Sequence, residues 1–330
     1  MIMKSKITMQ DIADKLGITK VSVSKALNNK PGVSETLRRQ ITQTASEMGY
    51  VLSPPDNKKM SFAFVVPKRF FLETDKFYNV IFYYLNNLLI KRGNTITPVV
   101  VSVKDEEQPT GTLPYENYDG IFITGEMSEA YINMLKNTNI PLIAIDFYKI
   151  SFDAVYVLVD NFYLGYHATS YLIEKGHRDI GFVGNINQTS SINDRYYGCL
   201  KALQNKGLPL RQEWVISNND PKTGLYNIDI DFPEKLPTAF VCHCDMAAYF
   251  LVNSLKKYGK SVPGDISLIS FDNTDLSEAS GLTSMDINKK EIAEMAFYAM
   301  EKIIHNEIHR NRYYISVKLI ERDSVNRYEW

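Results

Sequence analysis

The segment Ile7–Tyr50, ITMQDIADKLGITKVSVSKALNNKPGVSETLRRQITQTASEMGY, limits what this chain can fold into more tightly than any other stretch. Thr8 is a natural N-cap, and Asp11 stands three residues on, where a carboxylate meets exposed backbone N–H groups. Met9, Ile12, Ala13 and Leu16 recur at helical spacing, and Gly17 ends the run. After the turn Gly17-Ile18-Thr19 a second helix is expected to bury Val23, Ala26 and Leu27. Its other face then presents Lys20, Ser22, Ser24, Lys25 and Asn28. Ser34 is the expected cap of a third helix with the apolar stripe Leu37, Ile41, Ala45 and Met48. Two amphipathic helices joined by a short turn containing Gly, the second armed with cations and small polar groups, have the shape that enters a DNA major groove. A small helical bundle with a solvated charged face would show the same apolar pattern, so charge has to separate the two.

Residues 1–60 hold ten Lys and Arg against five Asp and Glu, a net of +5, whereas the rest of the chain holds 27 against 33, a net of −6. The overall net charge of −1 therefore hides a basic head on an acidic body. Cations on the head would replace counterions along a phosphate backbone, which gives affinity without sequence information.

The ordered pattern T-x-x-D-[IV]-A, then G-[IV]-[ST]-x-x-[ST]-V-S-[RK]-x-L-N, then V-S-x-x-[TL]-R runs from Thr8 to Arg38. In this the segment resembles the DNA-binding domain of the LacI/GalR family of bacterial transcription regulators. The resemblance implies that Lys20, Val21 and Lys25 touch base edges. It also implies that Ser22, Ser24, Asn28 and Ser34 contact phosphates, with Thr8 and Arg38 completing the interface; phosphate contacts fix register and base contacts specify sequence. Most members carry Arg where this chain has Lys25, and Lys cannot make the same rigid fork to guanine. Members also follow with a short hinge helix whose Leu wedges into the minor groove. Here the tandem prolines of Leu52-Ser53-Pro54-Pro55 cannot sit inside a helix, so an extended linker without an intercalating Leu52 is expected, with Lys58 and Lys59 along phosphates.

From Phe62 onward strand-like and helix-like segments alternate. Strands are expected at Phe62–Pro67, Ile96–Val101, Gly120–Thr124, Pro141–Asp146, Val155–Val159, Ile180–Gly184, Thr238–Cys242 and Ile266–Phe271. Helices are expected at Phe77–Arg92, Ser128–Asn137, Phe162–Lys175, Asp194–Lys206, Asp245–Tyr258 and Lys289–His305. Such alternation implies parallel sheets covered on both faces, and the length implies two lobes. Asp160-Asn161 with Gly165, Gly176-His177-Arg178-Asp179-Ile180 and Val262-Pro263-Gly264-Asp265-Ile266-Ser267 resemble the family's periplasmic-binding-protein-like core. The expected organisation is a helix-turn-helix head at 1–50 and a linker at 51–61. A first lobe follows at 62–159 plus about 289–318, and a second at 160–288 plus about 319–330.

Open parallel sheets bind ligands beyond the carboxyl ends of their strands, here between lobes. Arg195 aligns with the family's ligand-gripping Arg, and Asp146 and Asp272 stand at strand ends where members hold acids. Thr124 and Cys244 occupy further polar positions of the family pocket. Phe70, Phe71 and Tyr78 lie where effectors stack on rings, and Glu126 would make the cleft unusually acidic. Aromatic faces with hydrogen-bonding acids suit the two sides of a sugar, and surplus acid suits an amino sugar.

Phosphate-loop, dinucleotide and serine-hydrolase signatures are missing, so catalysis is not expected, and no cofactor is expected either. The other function class, a sugar-active enzyme or solute sensor carrying a DNA-binding head, lacks catalytic motifs. Cys242-His243-Cys244 has no distant second pair, and strand alternation should turn His243 away from both thiols, so no metal is expected. His305 and His309 lie four apart without the H-E-x-x-H order, and His177 fits a structural corner. Three cysteines and an N-terminus without an apolar stretch suggest a cytoplasmic protein with no membrane contact. One recognition helix per chain makes a homodimer on double-stranded operator DNA the expectation. No leucine heptad tail, of the kind that would build a tetramer, is visible.

Overall fold

The computed structural model describes residues 7–27, 31–48, 50, 59–71, 76–109, 115–149, 151–152, 154–227, 229–305, 307 and 310–329. The chain divides into two compact units, residues 1–59 and 60–330. Leu52, Lys58, Asn28 and His309, each given a role above, lie outside the described residues, as does most of the linker.

The first unit is three helices, α1 (Met9–Leu16), α2 (Lys20–Leu27) and α3 (Glu35–Glu47). Their core is Ile12, Ala13, Val23, Ala26, Ile41 and Ala45, with Leu16, Leu27, Leu37 and Met48 packed around it. The helical periodicity of the sequence therefore marks the buried faces.

The second unit contains strands β1 (Ser61–Pro67), β2 (Thr95–Val101), β3 (Gly120–Thr124), β4 (Leu142–Ile145), β5 (Val155–Leu158), β6 (Ile180–Val183), β7 (Val215–Ile216), β8 (Ala239–Cys242), β9 (Ser267–Phe271), β10 (Thr283–Ile287), β11 (Arg312–Tyr314) and β12 (Val317–Ile320). Between them run α4 (Phe77–Lys91), α5 (Val103–Glu107), α6 (Glu129–Lys136), α7 (Asn161–Glu174), α8 (Ser190–Asn205), α9 (Asp245–Lys257), α10 (Asp275–Ala279) and α11 (Lys289–Ile304). The strands form two six-stranded sheets, in the orders β11-β5-β4-β3-β1-β2 and β12-β10-β9-β8-β6-β7. All pairings are parallel except β10 with β12. Central strands such as β3 and β8 are buried along their whole length, which is why they read as near-continuous apolar runs.

The chain passes between the sheets three times, after β5, between β10 and α11, and between β11 and β12. Helix α11 packs on α4, β4 and β5 and so belongs to the first lobe. Strand β12 starts at Val317, already in the second sheet. Helix α8 begins four residues earlier than its apolar pattern suggests, because the Thr189 hydroxyl accepts from Ile192 N at 3.2 Å and caps a polar first turn. Among the described residues no helix is long and apolar enough to cross a membrane.

Candidate functional site

In the head, Thr8 and Asp11 form a reciprocal capping box. Thr8 N donates to the Asp11 carboxylate at 2.7 Å, and Asp11 N donates to the Thr8 hydroxyl at 3.3 Å. Gly17 closes α1 with a φ of +65°, a left-handed turn that a side chain would strain. The Thr19 hydroxyl accepts from Ser22 N at 3.1 Å and so starts α2. With Val23 and Ala26 buried, Lys20, Val21 and Lys25 are exposed, while Ser22 and Ser24 are half-buried. Val21 is 63% exposed, which leaves its methyl groups open to a thymine methyl. Ser34 caps α3 by accepting from Leu37 N at 3.4 Å.

Arg38, expected to complete the DNA interface, is engaged within the head. Its guanidinium reaches back from α3 to the last turn of α2 and donates to the carbonyls of Ala26 at 2.8 Å and Lys25 at 3.3 Å. Carbonyls at a helix C-terminus lack intrahelical partners, so a cation there both satisfies them and meets the negative end of the helix dipole. Arg38 thus fixes the end of the helix that carries Lys25. The motif marks this residue, but only the tertiary packing shows which way it points.

In the core, a cavity of about 80 Å³ lies between the two sheets at their carboxyl ends. Phe70, Tyr78, Asp146, Arg195, Cys244 and Asp272, all singled out in the sequence, line it together with Gln188, Asn219, Tyr226 and His243. A larger cavity of about 560 Å³ adjoins it and shares Cys244 and Asp272 as walls.

Asp146 and Asp272 are the residues that follow β4 and β9, and both adopt left-handed backbone, with φ of +64° and +98°. Each N–H donates to the neighbouring strand, Asp146 to Val157 O at 3.0 Å and Asp272 to Met285 O at 2.9 Å. The two lobes therefore repeat one device. The sheet is held to its last residue, and a strained turn worth about 1–3 kcal/mol aims a carboxylate at the cleft. Tyr78 donates to Asp146 Oδ2 at 3.0 Å, whereas Asp146 Oδ1 has no partner. Burial pushes the Asp146 carboxyl up to about 6, against the opposing pull of Arg195 and of the Tyr78 hydroxyl.

Arg195 is buried and heavily engaged. It donates from Nε to Asn161 at 2.8 Å and from a terminal nitrogen to His243 O at 2.5 Å, and that nitrogen lies 3.7 Å from Asp272. Its guanidinium also covers Phe271 at 4.7 Å. Helices α7 and α8 touch backbone to backbone beneath it, at Gly165 and Gly198. Burial and the Arg195 charge hold His243 down at about 3, so its ring is neutral.

Three expected pocket residues do not line this cavity. Thr124 is fully buried and donates to Val65 O at 3.1 Å within the sheet. Phe71 packs into the core of the first lobe. Glu126 crosses to the other lobe, where Oε2 accepts from Ser190 N at 2.6 Å at the start of α8 and Oε1 lies 4.0 Å from Lys149. A carboxylate at a helix N-terminus meets free N–H groups and the positive end of the dipole, so Glu126 ties the lobes together and does not make the pocket acidic. Tyr148 adds a second tie by donating to Asp194 at 3.2 Å.

Other expectations change in detail. His243 Nε2 lies 3.8 Å from Cys244 Sγ and does not turn away, because β8 ends at Cys242 and strand alternation ends with it. Among the described residues no group of His, Cys, Asp and Glu could hold a metal ion. His177 bridges Thr238 at 2.9 Å and Asn326 O at 3.1 Å, a structural corner. Asn219 and Tyr226, missed in the sequence, reach the cavity through the segment between β7 and β8, where they pair in an antiparallel bridge. That segment reads as a plain polar loop.

Residues 8–53 match the family described as Bacterial regulatory proteins, lacI family, and residues 169–325 match a Periplasmic binding protein-like domain. The chain is 26% identical over 315 residues, 91% of each chain, to the HTH-type transcriptional repressor PurR of Glaesserella parasuis serovar 5 (strain SH0165). It is 35% identical over 184 residues to PurR of Actinobacillus pleuropneumoniae serotype 3 (strain JL03), a match spanning 54% of this chain and 54% of that one. Among solved structures, the transcriptional regulator CelR–cellobiose complex is similar with a TM-score of 0.69 at 22% identity, covering 96% of this chain and 99% of that one. The lac repressor dimer bound to operator and the anti-inducer ONPF gives 0.66 at 15% identity, covering 98% and 100%. At these identities the two structures establish a shared fold. A lacI-type head on a periplasmic-binding-protein-like core, matched almost end to end by a PurR repressor, settles the assignment: the chain belongs to the LacI/GalR family of bacterial DNA-binding transcription regulators.

Proposed function

We propose that this regulator is a homodimeric, non-enzymatic repressor of the cytoplasm whose hold on operator DNA is set by a small effector, a sugar or amino sugar, bound in the interlobe cavity. One observation carries the reading: Asp146 and Asp272, one from each lobe, face a shared cavity from equivalent strained turns. Strain of that kind persists where the surroundings over-determine it and collects at ligand sites. Carboxylates beside Phe70, Tyr78 and Tyr226 suit the hydroxylated and apolar sides of a pyranose. The structural neighbour CelR is described as a complex with cellobiose, which favours the same class. At about 80 Å³ the cavity has room for two or three waters, so a ring-sized ligand enters only when the lobes open. An effector that prefers one lobe angle shifts the population toward it, and operator affinity follows by linkage. In the head, Lys20, Val21 and Lys25 would read bases, with Ser22, Ser24 and Ser34 on phosphates.

The test is a thermal-shift screen of sugars and amino sugars, followed by operator binding with each hit. An effector should raise the melting temperature and change operator affinity, and Asp272→Ala should lose both responses. Hits that stabilise the protein equally well in Asp272→Ala would place the ligand elsewhere.

A further inference from the structure

Resting on the reading of the interlobe cavity as the effector site, we infer that the effector carries a protonated amino group. It presents this group to Asp146 of the first lobe, while a second O–H or N–H of the same molecule reaches Asn219 of the second lobe. Two oxygens in the cavity wall carry the argument. Asp146 and Asn219 are each 7% exposed, both line the cavity, and each has a buried oxygen, Oδ1, without a hydrogen-bond partner. A buried acceptor left unpaired costs about 1–3 kcal/mol, and more when it is charged, so such atoms in a ligand cavity mark where a ligand donates. Both are acceptors, and they belong to opposite lobes. A molecule that satisfies both would cross-link the cleft.

Charge separates an amine from a neutral hydroxyl. Four charged residues line the cavity among the described ones: Arg69, Asp146, Arg195 and Asp272. Arg69 is already neutralised from outside the cavity by a bidentate pair with the buried Glu106, and it also donates to Glu126 O at 2.6 Å. Arg195 pairs with Asp272. His243 is neutral, and Lys289, which lines the neighbouring cavity, donates its ammonium to the backbone carbonyls of Asp272 and Ile287 and lies over the Phe77 ring. One carboxylate, Asp146, is left without a cation of its own. A ligand bearing a single positive charge balances the cavity. A carboxylate or phosphate would add a second uncompensated anion, which low-dielectric surroundings disfavour strongly. Burial already pushes Asp146 toward its neutral form, and an ammonium on Oδ1 would reverse that.

The experiment uses the full chain and a matched panel: D-glucosamine, D-galactosamine and D-mannosamine; D-glucose, D-galactose and D-mannose; D-glucuronate and D-galacturonate. Affinity is taken from thermal shift at several concentrations in the wild type, Asp146→Asn and Asn219→Ala. One amino sugar should bind at least tenfold more tightly than its neutral counterpart. Asp146→Asn should abolish that preference, and Asn219→Ala should weaken both members alike. Calorimetry of the wild type near pH 6 in two buffers of different ionisation enthalpy adds a readout that needs no variant. The amine should release a fraction of a proton as Asp146 ionises, and the neutral sugar should release none. A neutral sugar that binds as tightly as its amine, and is lost in Asp272→Ala, would overturn the amino group and leave the effector site standing. An amine preference that survives Asp146→Asn would overturn the placement. Silence from the entire panel would overturn the carbohydrate reading together with this one.

Discussion

Replacing Gly165 by Ala sets two opposite expectations against each other. Gly165 lies in the first half of α7, where Ala is the better helix former by about 1 kcal/mol. Propensity alone therefore predicts a more stable protein. The contact predicts the reverse. A Cβ on Gly165 would stand 2.7 and 2.8 Å from the carbonyl carbon and Cα of Arg195, and nearer still to its carbonyl oxygen. Carbon atoms sit about 3.5–4.0 Å apart at best, so α8 would have to retreat by roughly 1 Å. Gly198 offers no slack, since a Cβ there would meet Tyr166 N at 2.7 Å. Backbone atoms cannot rotate away as a side chain could. Overpacking of this kind costs about 1–3 kcal/mol or more, and Arg195, which holds Asn161 at 2.8 Å and His243 O at 2.5 Å, would be carried off its partners. Because the clash is with backbone, the cost falls at the upper end of that range; allowing for the helix-propensity gain of about 1 kcal/mol, we expect a net loss of about 1–2 kcal/mol, read as a fall of roughly 2–8 °C in calorimetric melting of the full chain. Effector affinity should fall with it. A melting temperature equal to or above that of the wild type would show that the two helices part without cost, and would refute the packing argument.

Asp146→Asn should become relatively more stable as pH rises. The folded carboxyl near 6 lies above the ordinary 3.8, so its penalty is absent below about pH 4, grows in between and is complete above about pH 6. The full difference is about 3 kcal/mol, measurable by urea titrations of both proteins at pH 4 and 7.5, and a pH-independent gap would contradict it. Glu126→Ala should free the start of α8, raising amide exchange at Ser190 about 5–30-fold for a loss of about 1–2 kcal/mol. Unchanged exchange would mean that the lobes are held elsewhere. Lys25→Ala should lower operator affinity more than affinity for random DNA. Arg38→Ala should instead lower the melting temperature of the head, because it removes a cap on α2. Identical profiles for the two variants in DNA-binding and melting assays would undo that division.

Legibility followed how local the deciding interactions are. The helices of the head could be read because Thr8, Asp11 and Gly17 act within one helix and its caps, whereas the direction of Arg38 could not. Central strands such as β8 could be read because burial on both faces leaves a near-continuous apolar run. Strand β10, TSMDI, could not: Thr283 and Ser284 are buried but polar, and partners far along the chain satisfy them, Ser324 for the Thr283 N–H and Asp245 for the Ser284 hydroxyl. Strands β7, β11 and β12 are short edge strands without a run of their own. In the cavity, Arg195, inside α8, was found through the family resemblance, and Asp146 and Asp272 were found because strand ends are visible in the sequence. Glu126 was misread for the same reason: its position says that it is near the cleft, and only the fold says that α8 presents its N-terminus there. Tyr226 and Asn219 sit in a segment whose hairpin-like bridge leaves no signal in composition.

Three covalent passages between the lobes decide what kind of signal this core can carry. Two plates joined by one strand could drift and twist freely. Joined by three, at Val159–Asp160, Asn288 and Ile315–Ser316, they have far fewer ways to move, and a hinge swing at the joints is the motion expected of such a pair. Such a mechanism is a lever. A small change of angle at the joints would become a larger arc at the far rim of each plate. Stiffness at the joints would then set how far the plates swing for a given push.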